Sequence, residues 1–119
     1  MRARKFPTRP GYCAQVTTPG FRYDLDRERG VLALHGELDE PASRELREAI
    51  VTATDDMTTS LAIDLGDVSF MPSPAIGVLA TSQAGAGRNG ATITFVAPEG
   101  SVAARLLTIC ALDYVAALD

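Results

Sequence analysis

From Val31 onward, short apolar runs alternate with stretches whose apolar residues recur at helical spacing, and this alternation constrains the chain more than any single motif. A strand followed by a helix and then another strand must cross over the sheet. The pattern therefore selects an α/β domain whose later strands pair in parallel. The first helical stretch opens at Asp39-Glu40-Pro41, an N-cap candidate with an early acid and an early proline, and carries Ala42, Leu46, Ala49, Ile50 and Ala53 on one face. Leu61 to Leu65 reads as a short strand. Phe70 to Ser73 then lead into a second helix with Ile76, Leu79, Ala80, Gln83 and Ala84 along one side, ended by Gly85, Gly87 and Gly90. Ala91 to Val96 is the next strand and Pro98-Glu99-Gly100 a turn. Ser101 caps a third helix, buried through Val102, Leu106, Ile109 and Cys110, and a short apolar tail runs from Tyr114 to Leu118.

Ahead of these elements, Phe21, Tyr23 and Leu25 alternate with Arg22, Asp24 and Asp26, the period of a strand with one wet face. Asp26 to Gly30 forms a turn, and Val31 to Leu38 a more buried strand antiparallel to the first. The expected order is β-β-α-β-α-β-α, a small mixed sheet with helices packed on it. Residues 1–20, punctuated by Pro and Gly, read as a flexible leader, and residues 21–119 as one domain.

The 119 residues are 46% hydrophobic and 22% charged, ordinary values for a globular chain and far from collagenous or disordered compositions. Residues 1–20 hold four cations, Arg2, Arg4, Lys5 and Arg9, and no acid. The rest carries seven cations against fifteen acids, a net −8, which argues against direct nucleic-acid binding and suits a basic protein partner. Cys13 lies in the irregular leader and Cys110 on a helix-patterned segment, so neither a disulfide nor a metal site is expected. No stretch has the apolar length of a membrane span or signal peptide, so a cytoplasmic protein is expected, a monomer or weak dimer.

Catalytic motifs fail on context. Gly85-Ala86-Gly87-Arg88-Asn89-Gly90 matches G-x-G-x-x-G by letter, but it follows a helix and precedes a strand, the reverse of what pyrophosphate binding requires. The single histidine, His35, lies within a strand and no G-x-S-x-G accompanies it, so an acyl-transfer relay has no visible nucleophile. Glu37, Asp39 and Glu40 cluster, yet a hard-metal site needs more oxygen ligands in a defined loop, and helix capping is the expected role of Asp39. No cofactor or metal is expected, and a binding protein rather than an enzyme.

Two segments together carry more. Gly36-Glu37-Leu38-Asp39 with the helix Pro41-Ala42-Ser43-Arg44-Glu45-Leu46-Arg47-Glu48-Ala49-Ile50 resembles the opening of STAS domains of the anti-sigma factor antagonist type. Asp64-Leu65-Gly66-Asp67-Val68-Ser69-Phe70-Met71, then Ser73 and Ile76-Gly77-Val78-Leu79, resembles that family's strand, phosphoacceptor loop and helix start. The likeness extends through Gly90-Ala91-Thr92-Ile93 and Val102-Ala103-Ala104-Arg105-Leu106-Leu107, over about residues 21–113. It implies a STAS-type fold and a partner switch: an antagonist that binds an anti-sigma factor with an ATPase-fold serine kinase domain, releases a sigma factor, and is turned off by phosphorylation. By position the phosphoacceptor is Ser73, and the implied partner-binding residues are Glu37, Asp39, Pro72, Ser73, Pro74, Ile76 and Gly77.

Read as an N-cap with an N1 proline behind it, Ser73 would hold its hydroxyl near free helix amides. A phosphate there adds about −1.5 to −2 charges, which the helix dipole favours by only about 0.3–1 kcal/mol. Emptying a complex takes about 5.5 kcal/mol, a scale that a buried dianion within an interface can reach. The family's Asp-Ser-Ser-Gly or Asp-Ser-Thr-Gly loop is replaced here by Pro72-Ser73-Pro74-Ala75, which lacks the acid, the second hydroxyl and the glycine. The alternative reading is a phosphorylation-independent STAS interaction module in a stress-signalling or lipid-transport assembly.

Overall fold

The computed structural model describes residues 12–18 and 20–117, with side chains from Gly20 onward. Over Phe21 to Ile109 it contains the expected ββαβαβα order: strands β2 (Phe21–Asp26), β3 (Val31–Glu37), β4 (Leu61–Phe70) and β5 (Ile93–Val96), and helices α1 (Glu40–Ala53), α2 (Ser73–Arg88) and α3 (Val102–Ile109). One strand precedes them, β1 (Tyr12–Thr18), so the sheet has five strands in the order β1-β2-β3-β4-β5. The flexible-leader expectation is corrected there. Gly20, at φ +84°, reverses the chain and lays β1 antiparallel on β2, with Tyr12 opposite Asp26 and Thr18 opposite Phe21. The remainder of the expected leader, residues 1–11 and 19, lies outside the described residues.

β2 and β3 form the predicted hairpin, and β3–β4 and β4–β5 pair in parallel as the crossovers require. Alternation along β3 sends Leu32 and Leu34 to one face and Val31, Ala33 and His35 to the other. The first face is the core. Leu32, Leu34, Ile63, Leu65 and Phe95 meet Leu46 and Ile50 of α1, Leu79 of α2 and Leu107 of α3, all but sealed from water. At roughly 1.5–3 kcal/mol per buried large apolar side chain, this cluster is the main source of stability.

Both outer helices differ in detail from the pattern reading. α2 buries Ala75, Val78, Leu79, Ser82 and Ala86, and runs through Gly85 and Gly87 to Arg88, with Asn89 at the C-cap and Gly90 at φ +80°. Gly85 and Gly87 keep helical backbone, and only Gly90 serves as the left-handed terminator. α3 buries Ala103, Ala104 and Leu107, while Val102 and Ile109 are exposed at 43% and 71% and Cys110 is also exposed. Paired alanines let the helix axis approach the sheet, and this close fit outweighs burial of the larger side chains. Val115 forms a bridge beside Val96, donating to the Phe95 carbonyl and accepting from Ala97 N–H, so the segment after α3 covers part of the β5 edge.

β4 is twice the expected length. Its register with β3 slips between Ala33 and His35 and again between Gly36 and Glu37, so residues are accommodated as bulges. Asp64 accepts the Gly66 N–H at 2.9 Å at the first of them. No helix among the described residues is long and apolar enough to cross a membrane.

Candidate functional site

β3 and β4 run parallel and end side by side, with the N–H of Leu38 donating to the carbonyl of Phe70 at 2.8 Å. Each strand is followed at once by a helix, so α1 and α2 leave the sheet from the same end. This brings the predicted site segments together.

At the start of α1, Asp39 has extended backbone and its Oδ1 accepts from Ala42 N–H at 3.0 Å, the predicted N-cap. Ser43 adds a donor to the Asp39 carbonyl at 2.9 Å, and Glu40 lies in the first turn. Asp39 is half-buried and its carboxylate serves the helix. Glu37, two residues back, is exposed, with its N–H donating to the Gly20 carbonyl at 2.8 Å.

The start of α2 departs from expectation. Pro72 is the N-cap, Ser73 is the first helical residue and Pro74 the second, and no side chain caps the helix. The Ser73 N-cap reading is corrected for a simple reason: the Pro72 carbonyl already accepts from Ala75 at 3.0 Å and Ile76 at 3.2 Å, which puts the helix boundary one residue earlier. Ser73 and Pro74 are exposed, Pro72 and Ile76 half-buried, Gly77 exposed, and Met71 and Ala75 buried between them. A Cβ added at Gly77 would meet nothing within 4 Å. The seven predicted residues therefore lie toward one end of the domain, at the end of β3 and the starts of α1 and α2.

Phe70 belongs to this surface and was missed. It is 50% exposed, opposite Glu37 in register. Inward residues of β4 are Leu61, Ile63, Leu65 and Val68, and simple alternation from Val68 would turn Phe70 inward as well. The register slip around Ser69 reverses the parity. The sequence holds no turn or glycine signal at that position.

On the sheet face opposite the core, His35 stands between two acids. Its Nε2 is 2.8 Å from Oδ2 of Asp24 and its Nδ1 is 2.9 Å from Oδ2 of Asp67. Asp24 is buried, whereas the Asp67 side chain is 51% exposed. A cavity of about 260 Å³ adjoins the cluster, bounded in part by Ala33, Asp64 and Pro98. Both ring nitrogens are thus within hydrogen-bond distance of a carboxylate oxygen. Among the described residues no group of His, Cys, Asp and Glu is arranged to hold a metal.

A family model described as "Mlab, STAS domain" matches residues 21–116. Among solved structures, an anti-sigma factor antagonist from Mycobacterium paratuberculosis superposes with a TM-score of 0.63 at 21% identity, covering 91% of this chain and 86% of that one. The anti-sigma factor antagonist SpoIIAA in its unphosphorylated form gives a TM-score of 0.57 at 20% identity, covering 85% and 81%. No curated protein matches the sequence.

Proposed function

The chain belongs to the STAS domain family, and from that premise we propose that it is an anti-sigma factor antagonist of the bacterial cytoplasm. It binds the ATPase-fold domain of an anti-sigma factor through the end of the sheet where α1 and α2 begin. The observation that carries this reading is the exposure of Ser73, Pro74 and Gly77 at the entrance of α2, beside the β3 terminus that leads into Asp39. Glu37 and Glu40 give the surface an acidic rim that suits a basic partner. The fold it shares with solved anti-sigma factor antagonists supports the same reading.

Phosphorylation of Ser73 is the means by which such a complex would be undone. Its hydroxyl makes no capping bond, so a kinase need not break one to reach it. A dianion added there would be desolvated and unpaired inside the interface, enough to oppose binding by several kcal/mol while barely touching the fold.

A second reading keeps the surface and drops the switch. Pro72 at the N-cap and Pro74 at the second helical position hold the loop rigid and remove two N–H groups, which favours a phosphorylation-independent interaction module of a stress-signalling or lipid-transport assembly. Titration against the purified anti-sigma factor kinase, followed by incubation with ATP and intact-mass analysis of the parent and Ser73→Ala chains, tests both. Binding with one phosphate gained only by the parent is expected for the switch. Binding with no phosphate on either chain selects the unswitched module, and no binding overturns the antagonist reading.

A further inference from the structure

Resting on the docking surface proposed above, we infer that Phe70 is its aromatic anchor, inserting into an apolar pocket of the ATPase-fold partner that is rimmed by Lys or Arg. Among the described residues the other exposed large apolar side chains, Val51, Val102, Ile109 and Val115, are aliphatic, and none lies on the strand ends that lead into α1 and α2. Phe70 does, and it is half exposed there. The slip around Ser69 is what turns its ring outward, so the fold forgoes the burial that an inward ring would have given.

The stem of this side chain is rigid. Its carbonyl accepts from Leu38 N–H at 2.8 Å, and the next residue, Met71, is buried at 2%. A ring with two side-chain torsions on a fixed backbone loses little freedom when it docks, the property that makes aromatics strong interface anchors. Its surroundings define the partner's chemistry. Glu37 lies opposite Phe70 in register and is exposed, and Glu40 opens α1, so two acidic residues belong to the same end of the sheet as the ring. A pocket receiving Phe70 meets those acids at its edge, and cations there complete the fit.

The test is calorimetric titration of the parent, Phe70→Ala, Phe70→Tyr and Ile109→Ala chains with the purified ATPase-fold anti-sigma factor of the source organism, with thermal melts run alongside. Phe70→Ala is expected to weaken binding about thirtyfold, Phe70→Tyr by less than about threefold, and Ile109→Ala by less than about twofold. Should the alanine chain melt early, Phe70→Leu decides instead, with a loss of about fivefold expected. Parent-like affinity in Phe70→Ala, or in Phe70→Leu where that variant decides, overturns the anchor and leaves the antagonist reading standing. A parent chain that binds no such factor overturns that reading and the anchor with it.

Discussion

His35 on β3 and Asp24 on β2 meet diagonally across the strand pair with Nε2 and Oδ2 2.8 Å apart, in side chains almost wholly removed from water. The second carboxylate on the ring, Asp67, is half in solvent. The two contacts are alike in length and differ in dielectric, so they should differ in weight. Asp24→Ala is expected to cost about 3 kcal/mol, because it strips a buried charge-assisted bond and leaves a cavity. Asp67→Ala is expected to cost no more than about 1 kcal/mol, as for exposed pairs. Urea unfolding of both variants measures this, and equal losses would refute the asymmetry.

Gly36 has φ +99°, and a Cβ placed on it would stand 1.9 Å from the Gly20 carbonyl oxygen. That carbonyl accepts the Glu37 N–H, so it cannot move aside without breaking the bond that seats the end of β3. Gly36→Ala combines a strained backbone with an unrelievable overlap, and a loss of about 3 kcal/mol or more is expected. The melting temperature should fall accordingly. A shift of only a degree or two would mean that the β1–β2 turn yields freely.

What could be read along the chain was what local chemistry decides. The Asp39 and Ser101 caps each depend on a side chain reaching an amide three residues on, and both stand as expected. The Asp26 turn is also local, with its carboxylate accepting from Glu28 and Arg29. What was misread depends on distant partners. Val102 and Ile109 have the spacing of a buried face, yet close packing through Ala103 and Ala104 sets the rotation of α3, and nothing local to α3 reports that. β1 becomes a strand only because β2 offers it an edge. For the site, the meeting of the Asp39 and Ser73 segments followed from the order of elements. Phe70 was hidden by a bulge, which shifts parity without any residue-type signature.

Gly77 offers a probe of the docking surface that leaves the fold intact. It is exposed within α2, and a side chain there has open space. Gly77→Gln is expected to raise stability by up to about 1 kcal/mol through helix propensity. The same side chain would stand in the partner's way and weaken binding by at least about tenfold. Gly87→Gln, in open space at the far end of the same helix, should match the gain in stability without the loss in affinity. Loss of affinity in both variants would point to a surface elsewhere on α2.

Pro72 sits where a capping side chain belongs, with φ −74° and ψ 175°, a backbone conformation that aspartate also adopts at an N-cap. In Pro72→Asp the new carboxylate would face the N–H of Ala75, the counterpart of the Asp39 to Ala42 bond at the start of α1. The cap contributes about 1 kcal/mol, and loss of proline's restraint on the unfolded chain removes about 0.4–1 kcal/mol, so the net change in stability should be slight. The effect on the loop is larger. An acid returns beside Ser73 and one of the two flanking rings is gone, so the chain regains the pliability that a kinase needs to draw the hydroxyl into its active site. Faster phosphate incorporation at Ser73 than in the parent is expected when both chains are incubated with the anti-sigma factor kinase and ATP and followed by intact mass. If the rates are the same and the melting temperature is unchanged, stiffness at Pro72 is not what governs access to Ser73, and Pro74 becomes the residue to replace.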